Sequence, residues 1–197
     1  MEPESAVQTF RRKHLLVEKR KKAVDTLEHR LEEVGIIEVA RRALESVKSL
    51  INAHKTKITL QLTDGGCVVG DENLLYRALR NLLENAIVHG SRVLGNSVRF
   101  KKGVRVTFSV RRDSKTRTTS IVIKDEGIGM DPKILAASKE IYANPTLLGV
   151  SSLAPGFGTT IVAFAISVHE GRISLKSKPK GGTIVSLEIP SYRKGES

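Results

Sequence analysis

The apolar residues of this chain switch several times between a helical and a strand-like spacing. Residues 5–33 are rich in Ala, Leu, Glu, Lys and Arg and contain no Gly or Pro, which predicts a long helix. One face repeats at spacings of three and four residues but is partly polar, with Val7, Phe10, His14, Val17, Lys21 and Val24. Such a helix buries little by itself, so we expect it to pair with a partner helix. The alternative is a solvent-exposed leader.

The next segment predicts two helices separated by short strands. Helical spacing returns over residues 36–53 and again over residues 71–89, where Asp71 is suited to cap the N-terminus of the helix. Alternating or short apolar runs predict strands at residues 31–34, 57–62 and 67–69. A turn rich in Gly joins the last two of these strands.

The C-terminal half predicts two hairpins and one further helix. Strands are expected at residues 103–110 and 118–124 and, after a helix at 158–169, at residues 172–177 and 183–189. Residues 125–157 show little periodicity and are expected to form a mobile loop with a short helix at 132–137.

The order of these elements differs from the regular strand–helix alternation of a doubly wound parallel sheet. We therefore predict an α/β fold of the α+β two-layer sandwich type. One mixed β-sheet carries helices packed on one face, and the long N-terminal helix precedes it. The predicted organisation is a helical stub or linker at residues 1–30, a main domain at 31–190 and a C-terminal tail at 191–197.

Composition and charge narrow the functional classes. No apolar run approaches the roughly 18 residues of a transmembrane helix, and no signal-peptide pattern is present. We expect a cytoplasmic chain, which could be the cytoplasmic part of a longer membrane protein. Cys67 is the single cysteine, which excludes an internal disulfide and a cysteine-cluster metal site. The net charge of +12 comes in separate clusters, and aromatic residues that could stack on bases make up only 4% of the chain, so nucleic acid is an unlikely partner.

Two amides on the predicted helix 71–89 form the first candidate motif, Asn81-Leu-Leu-Glu-Asn-Ala-Ile-Val-His-Gly90. Asn81 and Asn85 are four residues apart and therefore share a helix face with His89. An asparagine oxygen is a hard ligand suited to Mg²⁺, which binds one or two protein ligands together with substrate phosphates. The alternative is that both amides only bond to nearby backbone.

Two glycine-rich turns form the other candidate motifs. Asp125-Glu-Gly-Ile-Gly-Met130 follows a predicted strand, and its carboxylate could accept a hydrogen bond from an exocyclic amino group such as that of adenine. Gly156-Phe-Gly-Thr-Thr160 opens a predicted helix, whose free N–H groups and dipole favour phosphate. Neither turn is a Walker A loop or a Rossmann fingerprint.

Together the three motifs closely resemble the N, G1 and G2 boxes of the family that unites gyrase, Hsp90, histidine kinases and MutL. The stretch 156–190, with its Val168-His-Glu-Gly171 and its final Leu-Glu-Ile-Pro190, resembles the end of a sensor histidine kinase. The resemblance covers roughly residues 28–190 and implies that the main domain binds ATP and Mg²⁺. It implies transfer of the γ-phosphoryl group to a histidine of a dimerisation hairpin, and from there to a response regulator, with a homodimer in the full-length protein.

The resemblance also implies roles for individual residues. Asn85 is the Mg²⁺ ligand, and Asn81, where the ATP-hydrolysing relatives carry a glutamate that activates water, lies beside the phosphates; both are the expected catalytic residues. Asp125 reads adenine. The remaining expected ATP-binding residues are His89, Gly127, Gly129, Gly156, Gly158, Thr159 and Thr160. His89 could bind a phosphate oxygen or simply cap its helix.

Several positions depart from the family pattern. Val88 stands where the family often has a phosphate-contacting lysine, and the lid at about 130–155 is poor in cations, with only Lys133 and Lys139. We expect that Arg99, Lys101 and Lys102 could supply the missing positive charge. Neither His14 nor His29 has the sequence setting of a phosphoacceptor, so the accepting helix is expected upstream or on another protein. A non-catalytic ATP-binding module and an anti-sigma-type serine kinase are the alternative functions.

Overall fold

A computed structural model of the 197-residue chain describes residues 32–90, 92–93, 99–100, 103–144 and 157–192. The predicted stub at 1–30 and residues 5–31 of the predicted helix therefore lie outside the described residues, as does most of the predicted tail. Glu32 and Glu33, where that helix was expected to end, belong to a strand instead. The domain boundaries at residues 30 and 190 remain predictions. Along the described part of the chain, no helix is both long enough and apolar enough to cross a membrane.

A five-stranded sheet forms one layer of the fold. The strands of the chain are β1 (Glu32–Gly35), β2 (Lys57–Leu62), β3 (Cys67–Gly70), β4 (Arg92–Val93), β5 (Arg99–Phe100), β6 (Arg105–Asp113), β7 (Thr118–Asp125), β8 (Arg172–Ser177) and β9 (Thr183–Pro190). The main sheet has the order β2-β6-β7-β9-β8. Since β2 is parallel to β6 and all other neighbours are antiparallel, the predicted mixed sheet is confirmed.

Helices on one face of this sheet form the second layer, which confirms the predicted two-layer sandwich. They are α1 (Ile36–Ser46), α2 (Lys48–His54), α3 (Glu72–Val88), α4 (Pro132–Ala143) and α5 (Phe157–Val168). Alternate residues of the central strands, among them Phe108, Ile121 and Leu187, are fully buried against the helices. Most intervening residues of β6 and β7 are polar and either exposed or partly exposed, as expected for an antiparallel sheet covered on one side.

The helix predicted at residues 36–53 is interrupted at Val47. This residue leaves the helical conformation, with φ −104° and ψ 8°, and separates α1 from α2. Its side chain is fully buried, so the break turns Val47 into the core although the helical spacing continues on both sides. The prediction was wrong here because no Gly or Pro marks the break.

The segment between β7 and α5 is more helical than predicted. The expected short helix at 132–137 continues to Ala143 as α4. Asp131 caps its N-terminus by accepting a hydrogen bond from the N–H of Lys133 at 2.8 Å, and Pro132 occupies the first turn, where its missing N–H costs nothing. Burial of Ser138 and Ile141 stabilises the second half of the helix.

Several strand predictions also need correction. The first hairpin strand, β6, runs Arg105–Asp113 rather than 103–110. Strand β3 does not join the main sheet but pairs with β1, and Cys67 forms a further bridge with Tyr192. The pairing of β3 depends on partners that are distant in the sequence, which local spacing does not reveal.

Candidate functional site

A cavity of about 550 Å³ lies among α3, α4, the start of α5 and the ends of β7 and β9. Six of the ten residues predicted as site residues line it: Asn85, His89, Asp125, Gly129, Gly158 and Thr159. The fold therefore brings residues from all three motifs to one place, although Asn85 and Thr159 are 74 positions apart in the sequence.

Asp125 forms the buried wall of the cavity. It is the last residue of β7 and is 6% exposed. Its Oδ1 accepts a hydrogen bond from the N–H of Gly127 at 2.8 Å, and Thr183 lies opposite it on β9. Burial raises the pKa of the Asp125 carboxyl, and hydrogen bonds from Gly127 and Thr183 oppose that rise. A carboxylate has about four lone-pair sites, so Asp125 keeps the capacity to accept a donor from a ligand.

The turn after Asp125 is held against the hairpin of β8 and β9. Gly129 has a φ of +70°, and a Cβ at this position would overlap the carbonyl oxygen of Lys178. The N–H of Met130 donates to the hydroxyl of Ser177 at 2.9 Å. The N–H of Lys180 donates to the carbonyl of Ile128 at 2.6 Å. These contacts fix the backbone of the turn where it borders the cavity.

Gly127 contributes to the cavity indirectly. It does not line the cavity, but it packs on Gly90, just beyond the end of α3. A Cβ on Gly127 would overlap the Gly90 backbone and would lie 2.7 Å from Oδ1 of Asp125. The glycine at 127 thus allows the end of α3 to approach Asp125.

The two asparagines of α3 have different surroundings. Asn85 lines the cavity, whereas Asn81 does not. The Asn81 side chain donates from Nδ2 to the carbonyl of Arg77 at 2.7 Å, and its Oδ1 faces Gly158 at the start of α5. The role of Asn81 beside the phosphates remains a prediction. Of the two asparagines, Asn85 is better placed to act as the predicted Mg²⁺ ligand, since it lines the cavity and an amide oxygen suits Mg²⁺.

The N-terminal turn of α5 supplies backbone donors to the cavity. Gly158 and Thr159 line it, while Thr160 is 4% exposed and lies outside the lining. Gly156 lies outside the described residues. The first N–H groups of a helix have no partner within the helix and carry a partial positive charge, so this end of α5 can bind an anion such as phosphate.

Sequence reasoning missed the contribution of α4 to the cavity. Ile134, Ser138 and Tyr142 of this helix line it, opposite the N-terminal turn of α5. Burial raises the pKa of the Tyr142 hydroxyl to about 12, while a hydrogen bond with Thr159 opposes the rise. The cap at Asp131 with the following Pro132 was an available signal for the helix start. The apolar spacing that follows is too irregular to reveal the full helix.

The cavity is acidic, although the chain as a whole is basic. Asp125 and Asp131 line it, and none of the described lining residues is a Lys or Arg. The predicted compensating side chains of Arg99, Lys101 and Lys102 lie outside what the structure describes. In the described ranges, no group of three His, Cys, Asp or Glu residues could hold a metal ion. A site that binds Mg²⁺ through Asn85 and ligand phosphates does not need such a group.

Known proteins resemble this chain in sequence and in fold. The model of the histidine kinase-, DNA gyrase B- and HSP90-like ATPase family matches residues 70–193. The sensor-like histidine kinase SenX3 of Mycolicibacterium smegmatis is 27% identical over 169 residues, which are 85% of this chain and 41% of SenX3. The kinase BaeS of Escherichia coli K12 is 24% identical over 161 residues, which are 81% of this chain and 31% of BaeS. The chain thus spans less than half the length of these curated relatives.

Solved structures show the same fold. The mycobacterial sensor histidine kinase MprB has a TM-score of 0.62 and 23% identity, covering 84% of this chain and 100% of the MprB chain. Full-length ShkA in complex with AMPPNP has a TM-score of 0.66 and 17% identity, covering 98% of this chain and 41% of the ShkA chain.

Proposed function

Because the chain belongs to the family of histidine kinase-, DNA gyrase B- and HSP90-like ATPases, we propose that it is the ATP-binding catalytic domain of a sensor histidine kinase. The observation that supports this most directly is the convergence of Asn85, Asp125 and the start of α5 on one cavity. The named relatives SenX3 and BaeS are sensor kinases, and ShkA was solved with an ATP analogue, which supports ATP as the ligand.

In this proposal, different residues of the cavity bind different parts of the ligand. Asp125 accepts a hydrogen bond from the adenine amino group, and the phosphates lie at the N-terminus of α5, where Gly158 and Thr159 offer N–H groups. Asn85 holds Mg²⁺, which would neutralise charge on the phosphates during transfer. The two proposed anchors are on different layers of the fold, since Asp125 ends a sheet strand while Asn85 is on a helix.

Asn81 fits a kinase better than an ATPase. An amide cannot act as a general base toward water. Hydrolysis of ATP would therefore be slow at this site, and the γ-phosphoryl group would remain available for transfer to a protein acceptor. We propose that the acceptor is a histidine on a dimerisation hairpin helix, from which a response regulator takes the phosphoryl group. A homodimer in the full-length protein and a cytoplasmic position of this domain complete the proposal.

A non-catalytic, nucleotide-gated binding module is the second candidate. The acidic cavity favours it, because weak charge compensation at the γ-phosphate would slow transfer. Val88, in the place of the family's lysine, points the same way.

Phosphoryl transfer can be tested directly. The full chain is incubated with γ-labelled Mg-ATP and a histidine kinase dimerisation hairpin that carries its phosphoacceptor histidine. Acid-labile, base-stable label on the hairpin is the expected result. ATP binding without transfer would support the non-catalytic module, and acid-stable label would support the anti-sigma-type serine kinase.

A further inference from the structure

A buried histidine joins the C-terminal end of α5 to the N-terminal end of α3. His169 directly follows α5 and is 4% exposed. Its Nδ1 lies 2.6 Å from the carbonyl oxygen of Ala165, and its Nε2 lies 3.0 Å from the backbone nitrogen of Asp71. Because a carbonyl only accepts and a backbone N–H only donates, Nδ1 carries the proton and Nε2 is the acceptor. One tautomer of the neutral ring satisfies both partners.

The residue that donates to Nε2 of His169, Asp71, is the N-cap of α3. Oδ1 of Asp71 accepts from the N–H of Leu74 at 2.9 Å, so the cap uses its side chain for α3 and its backbone N–H for His169. Gly70 lies against the imidazole, and a Cβ at this position would overlap the Nε2 and Cδ2 atoms. Asp71 is 7% exposed, so its N–H would have little access to water if the ring were absent.

The N-terminal end of α5 meets the middle of α3. At the start of α5, a Cβ on Gly158 would lie 2.8 Å from Oδ1 of Asn81 on α3. The two helices are therefore antiparallel, and both ends of α5 contact the N-terminal half of α3 or its N-cap. An α-helix rises about 1.5 Å per residue, so a slip of one position along α5 would move Asn85 by about that distance relative to Gly158.

This register matters because the two helices carry different parts of the proposed site. Asn85, the proposed Mg²⁺ ligand, is on α3, and the proposed phosphate-binding N–H groups of Gly158 and Thr159 are on α5. The proposed adenine anchor, Asp125, is on β7 and lies close to Gly90 at the end of α3, a contact that a shift of α5 along α3 leaves in place. A change in register would therefore disturb the Mg-phosphate end of the cavity and spare the adenine end.

We propose that His169 is a positioning residue, which sets the register of α3 on α5 and thereby the distance between Asn85 and the N-terminus of α5. This inference rests on the proposed function. A buried N–H that loses its acceptor must find another partner, so replacing His169 with an apolar residue releases the N-terminus of α3 from α5.

The test compares the dissociation constants of Mg-ATP and adenosine for variants of the full chain. In His169→Leu, affinity for Mg-ATP is expected to fall about tenfold or more, since a displacement of about 1 Å can have large effects on a site. Adenosine affinity should change by less than about twofold, which also shows that the variant is folded. His169→Gln offers a carbonyl oxygen near the Nε2 position and should restore most of the Mg-ATP affinity. Glu170→Gln, at the exposed neighbouring position, is the matched control.

A double-mutant cycle with Gly70 separates positioning from general loss of packing. Gly70→Ala should displace the imidazole and reproduce the selective loss of Mg-ATP affinity. In a His169→Ala background the added methyl group meets no ring, so Gly70→Ala should then have no further effect.

The results that would overturn the inference are distinct from those against the proposed function. Unchanged Mg-ATP affinity in His169→Leu, a parallel loss of both ligands, or additive effects of Gly70→Ala and His169→Ala would each overturn the positioning role alone. A wild-type chain that bound neither adenosine nor Mg-ATP would instead overturn the proposed function, and this inference with it.

Discussion

Gly158, at the start of α5, lies so close to Asn81 on α3 that a Cβ there would be 2.8 Å from the Asn81 side-chain oxygen. The two asparagines of α3 therefore have different surroundings. Asn81 packs at the interface between the two helices, while Asn85, one turn later, lines the cavity. The site thus depends on how α3 and α5 pack, as well as on which residues they carry.

The different positions of the asparagines predict the effect of removing the proposed metal ligand. Asn85→Ala should lower the affinity for Mg-ATP by about tenfold, equivalent to roughly 1.4 kcal/mol. Affinity for adenosine should stay the same, because Asp125 rather than Asn85 is the proposed adenine anchor. Isothermal titration calorimetry with and without Mg²⁺ measures both. Asn73→Ala is the control, since Asn73 is an exposed asparagine on the same helix. Equal Mg-ATP affinity in the Asn85 and Asn73 variants would contradict the assignment.

Val88 offers a gain-of-function prediction. It ends α3, at the position where the family often has a lysine that contacts phosphate. Val88→Lys should increase affinity for ATP about threefold or more, with a gain that shrinks as salt is added, because a cation would offset the acidic lining of the cavity. Val88→Met lengthens the side chain without charge and should leave ATP affinity near the wild-type value. A salt-independent gain, or the same gain in both variants, would show that charge is not the cause.

The turn after Asp125 predicts a stability effect. Gly129 combines a φ of +70° with close approach to Lys178, so Gly129→Ala adds both backbone strain and overlap. We expect the free energy of unfolding to fall by about 1–3 kcal/mol, measured by urea denaturation. Gly181→Ala in the neighbouring hairpin is the control: its Cβ would be 3.2 Å from the Lys178 Cβ and the position has no left-handed φ, so it should cost clearly less. Equal losses in the two variants would argue against a fixed turn.

Much of this fold and site follows from the sequence, where the cause is local. The alternation in β6 and β7 predicts the central hairpin, and the chemistry of the three motifs predicts six of the cavity-lining residues. The break at Val47 and the second half of α4 were not predicted, because burial rather than a Gly or Pro determines them. The packing of Gly127 on Gly90 is also long-range and has no local signal.

The buried carboxyl of Asp125 predicts opposite pH effects on stability and on ligand binding. Burial raises its pKa above the ordinary value of 3.8, so its contribution to stability is present below pH 3.8 and is lost as the pH rises through the raised pKa. The adenine amino group favours the ionised form, so adenosine affinity should fall as the pH decreases through the same raised pKa. A titration of the Asp125 carboxyl by ¹³C NMR should show a lower pKa with adenosine than without it. An unchanged or higher pKa with adenosine would contradict the proposed contact.

The central claim, that this cavity binds ATP through Asp125, has one direct measurement. Calorimetric titration of ATP into Asp125→Asn should show no measurable binding. The carboxylate only accepts hydrogen bonds, whereas the amide that replaces it also presents N–H donors, which cannot bond to the adenine amino group's N–H. Asp113→Asn changes the other end of the same hairpin, where the carboxylate accepts from the N–H of Lys115, and should bind ATP like the wild type. ATP binding to Asp125→Asn with wild-type affinity would contradict both the site and the function proposed for it.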